Sequence, residues 1–139
     1  MNNEDFFVFF DVILPKMTIF ATDILNIVMK DYPDKMTVEQ ARVFGEDVLN
    51  IVSQIPCGKV TTYGHIAVLA GWPSHSRMVG RTLRYSPQAV DLPCHRVVNN
   101  VGRTAPGWSR QRQLLEAEGV TFKANGHVDM QRHLWAPDS

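Results

Sequence analysis

Leu92-Pro93-Cys94-His95-Arg96-Val97-Val98 sets a thiol directly before an imidazole and a guanidinium. Proline fixes the approach to the thiol, and an apolar pair follows. The thiolate is the reactive form of cysteine, and neighbouring cations lower its pKa. Cys94 therefore has the sequence surroundings of a nucleophile, with His95 placed to take its proton directly or through a water. The plainer reading is a buried structural cysteine followed by a surface His and Arg, because buried free cysteine is common. Three residues alone do not separate the two.

Upstream lie Gly58-Lys59-Val60-Thr61-Thr62-Tyr63-Gly64-His65-Ile66-Ala67 and Ser76-Arg77-Met78-Val79-Gly80. Lys59-Val60-Thr61 reads as a short extended piece. Thr62 is placed to cap a helix through Ile66, Ala67, Leu69 and Ala70. Gly71-Trp72-Pro73 makes a turn, and Ser74 is placed to cap a second helix through Met78, Val79, Leu83 and Arg84. Two short helices joined by a tight turn form a helix-turn-helix candidate. Arg77, Arg81 and Arg84 share a face of the second helix. Gly80, between them, lets a partner backbone approach closely.

In order and spacing these three runs resemble the DNA-binding and active-site domain of the O6-alkylguanine-DNA alkyltransferases, over residues 51–119. The ending of the chain is similar to that of a sister group, the alkyltransferase-like proteins, which bind the same lesions but usually lack the cysteine. The resemblance implies a fold that is mainly α with short β pieces: a winged helix-turn-helix-like alkyltransferase C-terminal domain. It implies that the second helix enters the minor groove of double-stranded DNA. Arg77 would fill the gap left by a flipped O6-alkylguanine, and Tyr63 would turn the phosphate so that the nucleotide swings out. Flipping costs a few kcal/mol, less for a damaged pair. Arg77, Gly80, Arg81, Arg84 and Arg96 join Tyr63 on the implied DNA surface. Cys94 would accept the alkyl group, with His95, Glu118 and Tyr63 as the other catalytic residues. Glu118 would orient His95, which polarises a water toward the thiol. Tyr63, Pro93, Cys94, Trp108 and Ser109 would line the lesion pocket. Because a thioether is not hydrolysed, such a protein acts once, with no metal and no cofactor. Two departures stand out. Ser86 takes the place of an asparagine that ties the recognition helix to the active-site segment, and serine offers fewer bonds. Pro106-Gly107-Trp108-Ser109 replaces a Gly- and Tyr-containing loop. Trp108 there either stacks on an extruded base or plugs the core.

Residues 37–54 carry the clearest helical pattern. Thr37 and Gln40 match a capping box, and Ala41, Phe44, Val48, Ile51, Val52 and Ile55 form one apolar stripe. Arg110, Arg112, Leu114, Leu115 and Glu118 fall on a helix ended by Gly119. Residues 120–135 read as a short extended pair around the turn signal Asn125-Gly126. Residues 4–32 read as helical pieces broken at Pro15. They give an N-terminal helical extension over residues 1–36, ahead of a domain over residues 37–139. The extension shows no chemistry and reads as a packing or dimerisation element on an otherwise monomeric chain.

Formal charge is zero over 139 residues, but it is unevenly spread. Residues 1–50 hold four basic and nine acidic side chains, while residues 51–139 hold ten and five. Seven arginines against one acid, Asp91, lie between Arg77 and Arg112. That is the footprint of a phosphate-binding surface, or of a solvated basic face without a partner. Two cysteines make no disulfide framework and point to a reducing compartment. No secretory signal or membrane-spanning run is visible, so the expected location is cytoplasmic, or nuclear in a eukaryote. Three rival readings stand beside alkyl transfer. One is a non-catalytic lesion binder that flags damage for excision-repair proteins. Another is a transcription regulator that reads the major groove with the same two helices. The third is a zinc site from Cys57, His65, Cys94 and His95, whose spacing matches no usual ligand pairing.

Overall fold

The computed structural model describes residues 36–86 and 91–137. Residues 1–35 of the expected N-terminal helical extension lie outside them, as does Pro87, while Met36 is buried in the core. The described elements are α1 (Val38–Ser53), β1 (Thr61–Thr62), α2 (Tyr63–Leu69), α3 (Ser76–Arg84), a 3-10 turn (Cys94–Arg96), β2 (Val97–Val98), α4 (Arg110–Ala117) and α5 (Met130–His133). The architecture is mainly helical with a short two-stranded sheet, as the sequence implied.

Helix α1 starts at the expected capping box. The Thr37 hydroxyl accepts from the Gln40 N–H at 3.1 Å, and the Thr37 N–H donates to Gln40 Oε1 at 2.9 Å. A cap of this kind is worth about 1 kcal/mol. The apolar stripe buries Ala41, Phe44, Val48, Val52 and Ile55 against Ile66 and Ala67 of α2 and Met78 and Val79 of α3. Helices α2 and α3 form the helix-turn-helix. Thr62 caps α2 by accepting from the His65 N–H at 3.0 Å. The helix stops at Ala70, and Gly71 takes a φ of +85° that favours glycine.

One cap differs from the sequence reading. His75, not Ser74, occupies the N-cap position of α3, and it makes no side-chain cap bond. His75 is buried beside Phe44 and Trp72. Ser74 is spent on it, with Oγ 3.0 Å from His75 Nδ1. Tertiary packing of an aromatic ring here outweighs a local capping preference.

Strands β1 and β2 pair in parallel, with Thr61 opposite Val97 and Thr62 opposite Val98. Alternation along β2 sends Val97 into the core under the helix-turn-helix. It sends Val98 into a second cluster with Val60, Leu115, Val120 and Val128. This ladder fixes the start of α2, which carries Tyr63, beside the segment that carries Cys94. The tail turns at Asn125-Gly126, with Phe122 and Val128 paired antiparallel and Gly126 at a φ of +83°. It then forms the short α5, which the extended reading of residues 120–135 did not include. Past α5 the chain returns to β1, where the Val60 N–H donates to His133 O at 2.9 Å and the Trp135 N–H to Val60 O at 2.7 Å. Among the described residues, no helix is long and apolar enough to cross a membrane.

Candidate nucleic-acid interface and active site

Glu118 is the hub of the site. It is the C-cap residue of α4, where the helix ends and Gly119 turns the chain at a φ of +87°. Its carboxylate accepts from His95 Nε2 at 2.6 Å. Arg96 grips it with Nε at 2.9 Å from Oε1 and Nη2 at 2.8 Å from Oε2. The Gly58 N–H adds a bond to Oε1 at 3.1 Å. The three side chains are only 13–17% exposed, so these contacts are shielded from water and salt. Burial pushes the Glu118 carboxyl up, but the bonds from Arg96, His95 and Gly58 outweigh it and hold the pKa at about 2.

This geometry corrects two expectations. The resemblance implied a place for Arg96 on the DNA surface. Instead its Nε and Nη2 serve Glu118, and its Nη1 donates to Ile55 O at 2.8 Å, tying the end of α1 to the site. The cations after Cys94 were also expected to depress the thiol pKa. They turn toward Glu118, and the largest influence left on Cys94 is burial, which pushes its pKa up against smaller opposing bonds from Ser86 and the backbone. The short 3-10 turn causes this, because successive side chains leave it in different directions.

Cys94 is half-buried and packs on the edge of the helix-turn-helix core, as does Tyr63. Its Sγ lies 3.9 Å from Ser86 Oγ, and Ser86 donates to Leu83 O at 2.7 Å. The link between recognition helix and thiol therefore exists with serine, as one long contact. His95 spends Nε2 on Glu118, which leaves Nδ1 as its second nitrogen. Burial pushes the Tyr63 phenol pKa up, and the Cys94 charge adds in the same direction.

On α3, Arg77 and Arg84 are exposed and Arg81 is partly so. The Arg84 guanidinium sits 5.8 Å from the Tyr85 ring centroid. A Cβ at Gly80 would lie 3.8 Å from the Tyr63 ring, an ordinary van der Waals contact, so α3 packs against the tyrosine at this position. Trp108 is 37% exposed and belongs to neither core cluster, which removes the core-plug alternative. Ser109 beside it is exposed. Pro93 precedes the 3-10 turn, and Cys57 is exposed in the turn after α1. Among the described residues, no three His, Cys, Asp or Glu side chains converge as a metal site.

The site contains one residue the sequence reading passed over. Gln111 is completely buried, and its amide bonds to three backbone groups. A signal was present, since Gln111 lies four residues before Leu115 and seven before Glu118, a polar residue on the inward face of α4.

A helix-turn-helix followed by a half-buried cysteine and, next to it in the chain, a His-Arg pair bonded to Glu118 is the arrangement of a DNA-binding domain of the alkyltransferase type. The family described as 6-O-methylguanine DNA methyltransferase, DNA binding domain, matches residues 43–120, and the chain belongs to it. Among its relatives is the DNA base-flipping protein of Escherichia coli (strain K12), 44% identical over 115 residues that span 78% of this chain and 89% of that protein. A methylated-DNA–protein-cysteine methyltransferase of Methanosarcina acetivorans is 36% identical over 94 residues, 66% of this chain and 60% of that one. The crystal structure of S. pombe Atl1 in complex with damaged DNA containing O6-carboxymethylguanine superposes with a TM-score of 0.61 at 35% identity. That match covers 68% of this chain and 95% of Atl1. The family thus holds both base-flipping or alkyltransferase-like proteins and methyltransferases.

Proposed function

We propose that the chain binds double-stranded DNA through the minor groove, flips O6-alkylguanine out of the stack, and accepts the alkyl group on Cys94. The observation that carries this reading is the 2.6 Å pair of His95 and Glu118 beside the half-buried Cys94. It supplies a nucleophile, a base and an orienter. His95 Nδ1 takes the thiol proton through a water, and Glu118 stabilises the imidazolium. The Cys94 sulfur then forms a bond to the alkyl carbon as the carbon–O6 bond breaks. The bonding pair leaves with guanine, and the Tyr63 phenol supplies a proton to the departing base. The relationship to a base-flipping protein and the likeness to a DNA-bound Atl1 support the recognition part. The exposed arginines of α3 support the contact with phosphates.

Intact-protein mass after incubation with a duplex containing O6-methylguanine, followed by peptide mapping, tests the transfer. One methyl added to Cys94 is the expected result. Because burial raises the thiol pKa, the thiolate fraction, and with it the transfer rate, rises as pH increases toward that pKa. A rate that falls over the same range would exclude the thiolate as the attacking species. The same raised pKa favours a second reading, a lesion binder that holds O6-alkylguanine for excision-repair proteins without transfer. Unchanged mass together with tight lesion-selective binding selects that reading.

Arg77 takes the place of the flipped base in either reading. Arg77→Ala is expected to weaken binding to lesion DNA about 10-fold more than binding to intact DNA, the loss of one charge-assisted contact. Equal losses on both duplexes, measured by fluorescence anisotropy, would remove that role.

A further inference from the structure

We propose that Gln111 is a positioning residue that locks residues 104–109 to the segment bearing Cys94 and thereby sets how well the pocket discriminates an alkylated base. The inference rests on the lesion-binding reading above and deepens it. Gln111 sits in the first turn of α4 with no exposed surface. Its Oε1 accepts from the Ala105 N–H at 2.6 Å. Its Nε2 donates to His95 O at 3.0 Å and to Val97 O at 2.9 Å. A primary amide has one carbonyl and two N–H donors, and each is used on a different backbone group. One bond reaches the loop that leads to Trp108 and Ser109. The other two brace the chain on either side of Arg96, so that the peptide carrying His95 is held from behind.

The arrangement has a functional sense. The loop and the 3-10 turn are the two implied walls of the lesion pocket, and Gln111 is a side chain that bonds to both. Burial in a dry interior makes each bond costly to lose. Without the amide, Ala105 and the two carbonyls keep their local chain paths but lose their common reference. The separation of the walls then becomes free to vary, and fit to a particular base is lost before fit to the duplex.

Affinities for an O6-methylguanine duplex and its unmodified twin, measured by anisotropy, test this. Four full-length proteins are compared: the wild type, Gln111→Met, Gln111→Glu and Leu115→Ala. Met keeps the length without the amide. Glu keeps an acceptor for Ala105 but offers no amide donor to the two carbonyls. Leu115→Ala loosens the same helix without touching the three bonds. The lesion-to-intact ratio is expected to fall about 10-fold in Gln111→Met, with intact-duplex affinity held and hydrogen exchange at the Ala105 amide accelerated. It is expected to hold in Leu115→Ala. If Gln111→Met does not fold, Gln111→Glu carries the test, with the same fall in ratio expected. An unchanged ratio in the Gln111 variants, or an equal fall in Leu115→Ala, would overturn the inference and leave lesion binding intact. A wild type with no preference for the lesion would overturn the binding reading, and the inference with it.

Discussion

Glu118→Ala is expected to lower the unfolding free energy by about 3–5 kcal/mol at neutral pH, the usual cost of leaving one partner of a buried ion pair alone. The substitution strands the Arg96 guanidinium, which is 17% exposed and otherwise bonded to Ile55 O. It also frees the Gly58 N–H and the His95 ring. The pH dependence has a definite sign. The folded pKa of about 2 lies below the ordinary value of 4.5, so the carboxylate contributes stability that is fully present above pH 4.5. That contribution is lost as pH falls through 4.5 toward 2. The depression corresponds to about 3 kcal/mol by linkage. Urea denaturation of wild type and variant from pH 7 down to pH 2 should show the gap closing in that window. A gap of constant size would mean that the stability difference does not come from the ionised carboxylate. His95 orientation should suffer in parallel, so the transfer proposed for Cys94 should slow even at temperatures where the variant is folded.

A comparable loss, about 3 kcal/mol, is expected for Gly102→Ala from adding left-handed backbone strain to overpacking. Gly102 has a φ of +84°, and a Cβ there would come within 2.7 Å of Val128 O and 3.1 Å of Met130 Cγ. The Gly102 carbonyl also accepts the Val128 N–H at 2.9 Å, so a shift that relieves the clash breaks the bond holding the tail. Gly71→Ala and Gly107→Ala serve as controls. Both positions have positive φ, but a Cβ at either meets nothing within 4 Å. They should cost only the backbone term, about 1–2 kcal/mol. Chemical denaturation ranks the three variants, and accelerated exchange at the Val128 amide locates the damage. Equal losses in all three would show that crowding by Val128 contributes nothing.

Local signals in the sequence located α1 and α2 together with their caps. Thr37 with Gln40, and Thr62 ahead of α2, make bonds that span three residues, so no distant part of the chain decides them. The stripe from Ala41 to Ile55 was legible for the same reason, since one period repeated over four turns admits one buried face. The cap at Ser74 failed because a buried histidine ring beside Phe44 and Trp72 took its hydroxyl. The site was harder to read. Cys94, His95 and Glu118 are separated by up to 24 positions, and no periodicity joins them. The resemblance to alkyltransferases supplied that grouping, and the His95–Glu118 bond is present. Arg96 was misplaced because the direction of a side chain leaving a single 3-10 turn depends on the carboxylate waiting for it. The polar residue on the inward face of α4, Gln111, could have been singled out by its position, but its three backbone partners lie on segments that only the fold brings together.

The bonds that hold the site together bypass the sulfur. Glu118 fastens Arg96, His95 and Gly58, and Arg96 reaches on to Ile55. To other side-chain polar groups the Cys94 thiol shows a 3.9 Å contact with Ser86 Oγ, and it packs on the edge of the core. The frame can therefore survive replacement of the sulfur proposed to accept the alkyl group. In evolutionary terms the thiol is a detachable part. A lineage that exchanged it would keep a folded, DNA-reading scaffold at once, without first having to repair its stability.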